Sequence, residues 1–303
     1  MVKRIASAIL GIFLAAVVVF MPATALVAPI DGMFRLSALG GAEKENVKSP
    51  ESSFGGALPR FLGEALAVTP LFIIPDLGFQ FAGSIVASSA NWRWGFNGGP
   101  IYDFGMGKAG VLVAYQVRHY QGSSGSAPDF HGTWIKPAVS FYLPQTNIDF
   151  WVSQAVSPRW VFKASENDNR RVVIPVNEAQ LMANFFPPVP VVGKDNLELS
   201  LGVRVRNLWG SGHQSLGGGG GSGSTGAVSV GPAGGIAVMP WQNLEVTVAR
   251  GWFDVNHNKY TVSSGVQYYF NFAKNPNLSL LQTRRQYLEP TLEPGVFGTM
   301  WNR

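Results

Sequence analysis

Tyr260 to Phe272 reads YTVSSGVQYYFNF, the cleanest alternation in the 303-residue chain. Tyr260, Val262, Val266, Tyr268, Phe270 and Phe272 share one parity, while Thr261, Ser263, Gln267 and Asn271 share the other. Successive side chains of a β-strand point to opposite faces, so this stretch is a strand with one apolar and one polar side. The apolar side ends in three aromatics and the polar side carries almost no charge. A soluble sheet turns such a face to its core. A strand crossing a bilayer turns it to lipid and gathers its aromatics at the interface.

The segments before it form a ladder of the same kind. Leu244 to Trp252 alternates Leu244, Val246 and Val248 against Glu245, Thr247 and Ala249, and reaches the last strand through Asp254 to Lys259. Val228 to Met239 precedes it across a Pro240–Asn243 turn, with proline and asparagine supplying the bend. Leu197 to Arg206 is the next strand upstream, separated by the glycine-rich loop Gly210 to Gly226. Five consecutive glycines there make a flexible connection, not a phosphate cradle. Further strands are expected at Gly32–Gly40, Gly55–Thr69, Leu77–Ser88, Trp92–Phe104, Gly110–Gln121, Phe130–Leu143, Ile148–Phe162 and Arg171–Phe186. In the last of these the alternation loses phase near Asn177 and Glu178, which predicts a β-bulge or a short helix from Asn177.

The N-terminus has another character. Lys3 and Arg4 precede an apolar run from Ile5 to Met21, then Pro22 and Ala23-Thr24-Ala25, the pattern of a secretory leader cleaved after Ala25. The run approaches the length of a membrane-spanning helix, but Pro22 and the A-x-A site end it where a peptidase would cut. Removing Lys3 and Arg4 lowers a net charge of only +5, too mild a balance for a nucleic-acid binder. No later stretch is apolar for long enough to span a bilayer as a helix, so a membrane location has to be reached with strands. The chain contains no cysteine. An exported chain without disulfides depends on backbone hydrogen bonding and packing, which a closed barrel supplies without open edges. Thirty-six glycines, nine tryptophans and 14% charged residues fit that class better than a soluble exported enzyme.

Ser263-x-Gly265-x-x-Tyr268-x-Phe270 resembles the C-terminal insertion signal of bacterial outer-membrane β-barrels, in the porin-like class. The resemblance implies an all-β, transmembrane, antiparallel up-and-down barrel of about twelve strands, an even number. It also implies a Gram-negative outer membrane as location, surrounding lipid as partner, and recognition of Ser263 to Phe270 by the barrel-assembly machinery. Connection lengths agree: short turns at Gly105, Pro144, Val192 and Pro240 fall on one side, and long loops at Ala42, Gly122, Ser165 and Gly210 on the other. The organisation expected is a signal peptide over 1–25, a barrel over 26–272 and a periplasmic extension over 273–303. The extension departs from the resembled pattern, because the signal normally closes the chain. It carries a possible short helix at Leu278–Leu288, and its many apolar residues predict docking on the barrel mouth or on a periplasmic partner.

With the aliphatic face outside, the other parity lines the lumen. It presents Arg35, Arg93, Arg118, Lys136, Arg204 and Arg206 as cations, and Asp103, Asp149, Glu198 and Glu245 as anions, with Gln80, Asn97, Gln116 and Ser140 between. Rings of charge select ions by sign, so the expectation is a channel for passive diffusion of small polar or anionic solutes. Arg93, Asp103, Arg118, Lys136, Asp149, Glu198, Arg204, Arg206 and Glu245 are the pore-lining candidates. Charges that merely pair and fill a narrow, structural barrel are the competing reading. The inward parity of Ala227, Ser229, Gly231, Ala233, Gly235 and Ala237 is nearly bare and leaves space along one wall.

No catalytic, cofactor or metal motif stands out. His119, His131, His213 and His257 lie at strand ends or loops without metal-ligand spacing. His119 and His131 lie near Ser123, Ser124 and Ser126, residue types that an outer-leaflet lipid hydrolase would need, but residue types alone do not make a nucleophile and base. Trp92, Trp94, Trp134, Trp151, Trp160 and Trp209 are expected mostly in an interfacial girdle.

Overall fold

The computed structural model describes residues 32–44, 58–71, 74, 76–88, 91–120, 130–156, 160–163, 170–175, 177–206, 229–254, 259–272, 278–289 and 297–301. The leader, the Gly210–Gly226 loop, His213, His257 and Trp209 lie outside them. Twelve strands close a barrel: β1 (Met33–Lys44), β2 (Leu58–Pro70), β3 (Leu77–Ser88), β4 (Asn91–Asp103), β5 (Gly107–Tyr120), β6 (Phe130–Leu143), β7 (Thr146–Ala155), β10 (Glu178–Phe185), β11 (Leu197–Arg206), β12 (Ser229–Trp241), β13 (Leu244–Asp254) and β14 (Lys259–Asn271). The three other strands are β8 (Trp160–Lys163), β9 (Arg170–Pro175) and β15 (Phe297–Trp301). Every barrel strand pairs antiparallel with its neighbour in the barrel, and β14 closes on β1 from Met33↔Asn271 to Lys44↔Tyr260. Among the described residues no helix is long and apolar enough to cross a membrane.

Burial alternates along these strands with the polarity reversed from that of a soluble protein. Leu36, Phe81, Ile85, Phe96, Val113, Val203, Val266 and Phe270 are among the exposed apolar residues, while Arg35, Gln80, Arg118, Lys136, Glu198 and Glu245 are buried. In water this arrangement would be unstable; in a bilayer the outer face meets hydrocarbon and closure satisfies every strand edge. The Tyr260–Phe272 face predicted to be apolar is the outer one, with Val262, Val266, Tyr268 and Phe270 each more than 40% exposed.

Two predicted strands are divided differently. Ile148–Phe162 leaves the barrel at Ala155, and Arg171–Phe186 is two strands, β9 and β10, interrupted at 176–177. The lost phase at Asn177 therefore marks neither a bulge nor a helix but the point where the chain re-enters the barrel. Between those breaks β8 and β9 form a hairpin, and β15 adds to β9 through Phe297↔Pro175 to Trp301↔Arg171. This three-stranded sheet projects from the long-loop end, where β7 ends and β10 begins.

The barrel is not uniformly regular. Thr247 pairs with Gly265, but the next pair is Arg250↔Ser263, so β13 carries an extra residue. The bulge shifts the phase of the strand, turning Arg250 and Trp252 inward where strict alternation from Glu245 and Thr247 would have placed Ala249.

Candidate functional site

The lumen is the site, and the chain's own C-terminal segment occupies part of it. β14 ends at the short-turn side, where the Phe272 N–H donates to the Gly32 carbonyl at 3.2 Å. Residues 278–289 then fold back between the strands instead of extending away. Helix α1 (Leu280–Arg284) begins with a capping box: Ser279 Oγ accepts from the Gln282 N–H at 3.3 Å, and the Gln282 side chain accepts from the Ser279 N–H at 3.0 Å. Leu280 and Leu281 donate their N–H groups to Asn196 Oδ1 and the Asp195 carbonyl, at 3.0 and 3.1 Å. Leu280, Leu281, Tyr287 and Leu288 are buried with Met33, Leu66, Ile101, Leu112 and Phe186 in one apolar cluster.

Polar contacts fix the segment across the barrel. Arg284 Nε donates to Glu198 at 2.5 Å, Nη2 to Glu245 at 2.8 Å, and Nη1 to the hydroxyls of Tyr269 and Tyr287 at 3.0 and 2.5 Å. Arg285 Nε donates to Asn147 at 3.0 Å, and the Tyr142 hydroxyl donates to the Arg285 carbonyl at 3.3 Å. Leu288 behaves like a strand residue toward Gln80: its N–H donates to Oε1 at 2.8 Å and its carbonyl accepts from Nε2 at 2.9 Å. Arg35 pairs with Glu64 and lies over the Tyr287 ring at 4.7 Å. The partners of the tail come from β1, β3, β6, β7, β11, β13 and β14, so the segment spans the short-turn mouth. Arg284 is thus buried between two lumenal carboxylates, Glu198 and Glu245.

Glu289 continues the path upward and meets Arg250 at 3.4 Å. Burial disfavours its charge, but Arg250, Arg35 and Arg284 outweigh that cost and hold its carboxyl at a pKa of about 2. The next described residues, Phe297–Trp301, form β15 at the opposite end. The tail thus enters at the short-turn end and finishes at the long-loop end.

All nine residues expected to line the pore have inward parity. Arg93, Asp103, Arg118, Lys136, Asp149, Glu198 and Glu245 are buried, and Arg204 and Arg206 are partly so. The carboxylates are more numerous than the sequence reading supposed, because Glu43, Glu64 and Glu178 also face inward. Glu43 takes Arg93 at 2.8 Å and lies 3.8 Å from Arg60, and Glu178 takes Arg204 at 2.8 Å and Arg206 at 2.5 Å. Lys108 pairs with Asp103 at 2.7 Å, and Asp149 accepts from Ser140 at 2.5 Å and from Asn184. Arg93, Lys108, Arg204 and Arg206 are therefore each matched by a nearby carboxylate. A cavity of about 110 Å³ remains above the tail, lined by Arg60, Arg204, Arg250, Trp252, Ser263 and Glu289. Ala233 of β12 and Gly251 of β13 border it.

The tryptophans divide. Trp92 and Trp94 are exposed on the outer face, but Trp134 and Trp151 are buried inside. Trp151 stands beneath Lys136 at 5.6 Å and Arg204 at 5.5 Å, and Trp252 beneath Arg206 at 4.0 Å, which corrects the expectation of a girdle for the inner pair. His119 stacks on Trp92 at 3.7 Å, and His131 Nδ1 meets the Tyr115 hydroxyl at 2.5 Å. Among the described residues no group of three or more His, Asp or Glu could hold a metal ion.

No protein-family model matches the chain, and no curated protein does. Solved structures share the fold. A membrane protein from work on in-meso crystallisation aligns at 10% identity over 89% of this chain and 100% of its own, with a TM-score of 0.52. An outer membrane channel from Pseudomonas putida F1 aligns at 11% identity over 82% of this chain and 99% of its own, with a TM-score of 0.53. At such identities the likeness shows the fold alone. Together with the closed twelve-stranded sheet and its apolar exterior, it gives the chain the fold of a transmembrane β-barrel, porin-like in architecture.

Proposed function

We propose that the protein is an outer-membrane channel for small polar or anionic solutes, closed at its short-turn end by its own C-terminal segment. The observation that carries this reading is the arginine-lined cavity of about 110 Å³ left in a polar lumen directly above residues 278–289. A barrel built only for support has no need of a lumen whose walls are lined with Arg60, Arg204 and Arg250 beside the near-bare strand β12. The short-turn end is read as periplasmic, since short turns face that side in such barrels. Arg93, Arg118, Lys136, Arg204 and Arg206 stand on the conduction path, with Arg93 held by Glu43, Arg204 and Arg206 by Glu178 and Lys136 over the ring of Trp151, so that fixed charge faces a passing solute.

The ion pairs and the filled mouth favour a second reading, a non-conducting barrel. Reconstitution into planar bilayers under a salt gradient separates the two. The channel reading expects a reversal potential of anion-selective sign that moves toward zero in Arg204→Gln/Arg206→Gln. Insertion without conductance, with and without residues 273–303, would leave the closed barrel as the better account.

A further inference from the structure

We propose that the lumen contains a carboxylate-binding station centred on Arg250, and that Glu289 of the tail occupies it in place of a carboxylate-bearing solute. The station deepens the channel reading by naming a solute class, and it rests on that reading only for the route by which solute arrives.

Arg250 reaches the lumen through the bulge in β13, where it stands in register with Gly235 on β12 and Ser263 on β14. Its contact with Glu289 is loose: one Nη2–Oε1 approach of 3.4 Å, where a charge-assisted bond runs at about 2.7–2.9 Å. The other arm, Nη1, is buried without a hydrogen-bond partner, and so is Glu289 Oε1. A guanidinium engages a carboxylate best through both arms of its fork, and here only one is used.

The surroundings suit a small anion. Arg60 and Arg204 line the same cavity, each beside its own wall carboxylate, Glu43 and Glu178, and Arg250 is the cation that Glu289 meets there. Trp252 supplies an apolar wall, and the absence of bulk at Ala233 and Gly251 opens the opposite side. A volume of about 110 Å³ has room for several waters, and so for a short carboxylate. Glu289 is ionised at neutral pH and tethered, so it competes at an effective concentration on the order of millimolar. A solute carboxylate must displace it, and that requirement links occupancy of the station to the position of the tail.

The test is equilibrium binding of succinate to the full chain refolded in detergent, read through the fluorescence of the lumenal tryptophans, with neutral succinamide as control. Folding of each variant is checked by heat-modifiable mobility. The wild-type chain is expected to bind succinate weakly, and both Glu289→Gln and Glu289→Ala to bind it at least about tenfold more tightly once the tethered competitor is gone. Adding Arg250→Gln to either variant should abolish the gain, and succinamide should bind none of them. Equal affinity in wild type and Glu289→Gln, or a gain that survives Arg250→Gln, overturns the station. Binding is measured without conduction, so the two readings fail separately. Conductance without succinate binding removes the station and leaves the channel, whereas succinate binding in a protein that never conducts removes the channel and leaves the station.

Discussion

Arg284 in the tail and Glu245 in β13 meet at 2.8 Å across 39 residues of sequence, with both side chains at least 93% buried. Glu198 takes the same guanidinium at 2.5 Å, so one tail cation neutralises two lumenal carboxylates. Removing one partner of a buried pair leaves an uncompensated charge, typically at a cost of about 3–5 kcal/mol. Arg284→Met should therefore lower the unfolding free energy of the full chain in micelles by that amount, read as a lower urea midpoint at unchanged m. Adding Glu198→Gln and Glu245→Gln should recover part of the loss. An unchanged midpoint would mean that the tail is not docked through Arg284.

The seam between β1 and β14 depends on two glycines. A Cβ on Gly265, the glycine of the insertion-signal pattern, would lie 2.2 Å from the Ala38 carbonyl oxygen, and one on Gly41 would lie 1.9 Å from that of Val262. Backbone cannot yield to such contacts without opening the ladder that closes the barrel. Gly265→Val and Gly41→Val should lose the heat-modifiable folded band on gels, whereas Gly83→Ala, with nothing within 4 Å of the new carbon, should keep it.

Docking of the tail should respond to acid through Glu289. Its carboxyl is held at about 2 in the folded chain against an ordinary 4.5, so its contribution is fully present above about pH 4.5 and is lost as pH falls through about 2. The stability difference between the full chain and a chain ending at Phe272 should narrow across that window. Glu289→Gln should flatten this part of the profile.

The last strand predicts a topology. β15 pairs with β9 at the long-loop end, so a short epitope tag after Arg303 should be reached by antibody on intact cells, provided the long loops face outward. Tag accessible only after the outer membrane is breached would mean that the terminus stays on the periplasmic side.

Much of this was legible in the sequence because a barrel in lipid has one dominant rule, apolar out and polar in, with period two. That rule turned Arg93, Lys136 and Glu198 inward and set Val262 and Phe270 on the outer face. It fails where the period breaks. Arg250 and Trp252 were hidden by the bulge after Thr247, which no alternation can show. Glu43 lies beyond the first strand as read, and Glu178 at a place where the phase had been lost. Trp134 and Trp151 were misplaced despite a usable signal, since they share the parity of Lys136 and Asp149. The helix start was also readable, because Ser279-x-x-Gln282 is a capping-box spacing. Which surface the tail would cover depends on contacts with strands far from it in sequence, and no local pattern records those.

The central claim is that residues 278–289 close a conducting barrel, and single-channel conductance of the full chain against a chain ending at Phe272 tests it most directly. All twelve barrel strands precede that point, so the shorter chain should still fold and show heat-modifiable mobility. The account predicts low or intermittent conductance for the full chain and a several-fold larger, steadier conductance for the shorter one. Equal conductance from two folded proteins would contradict it.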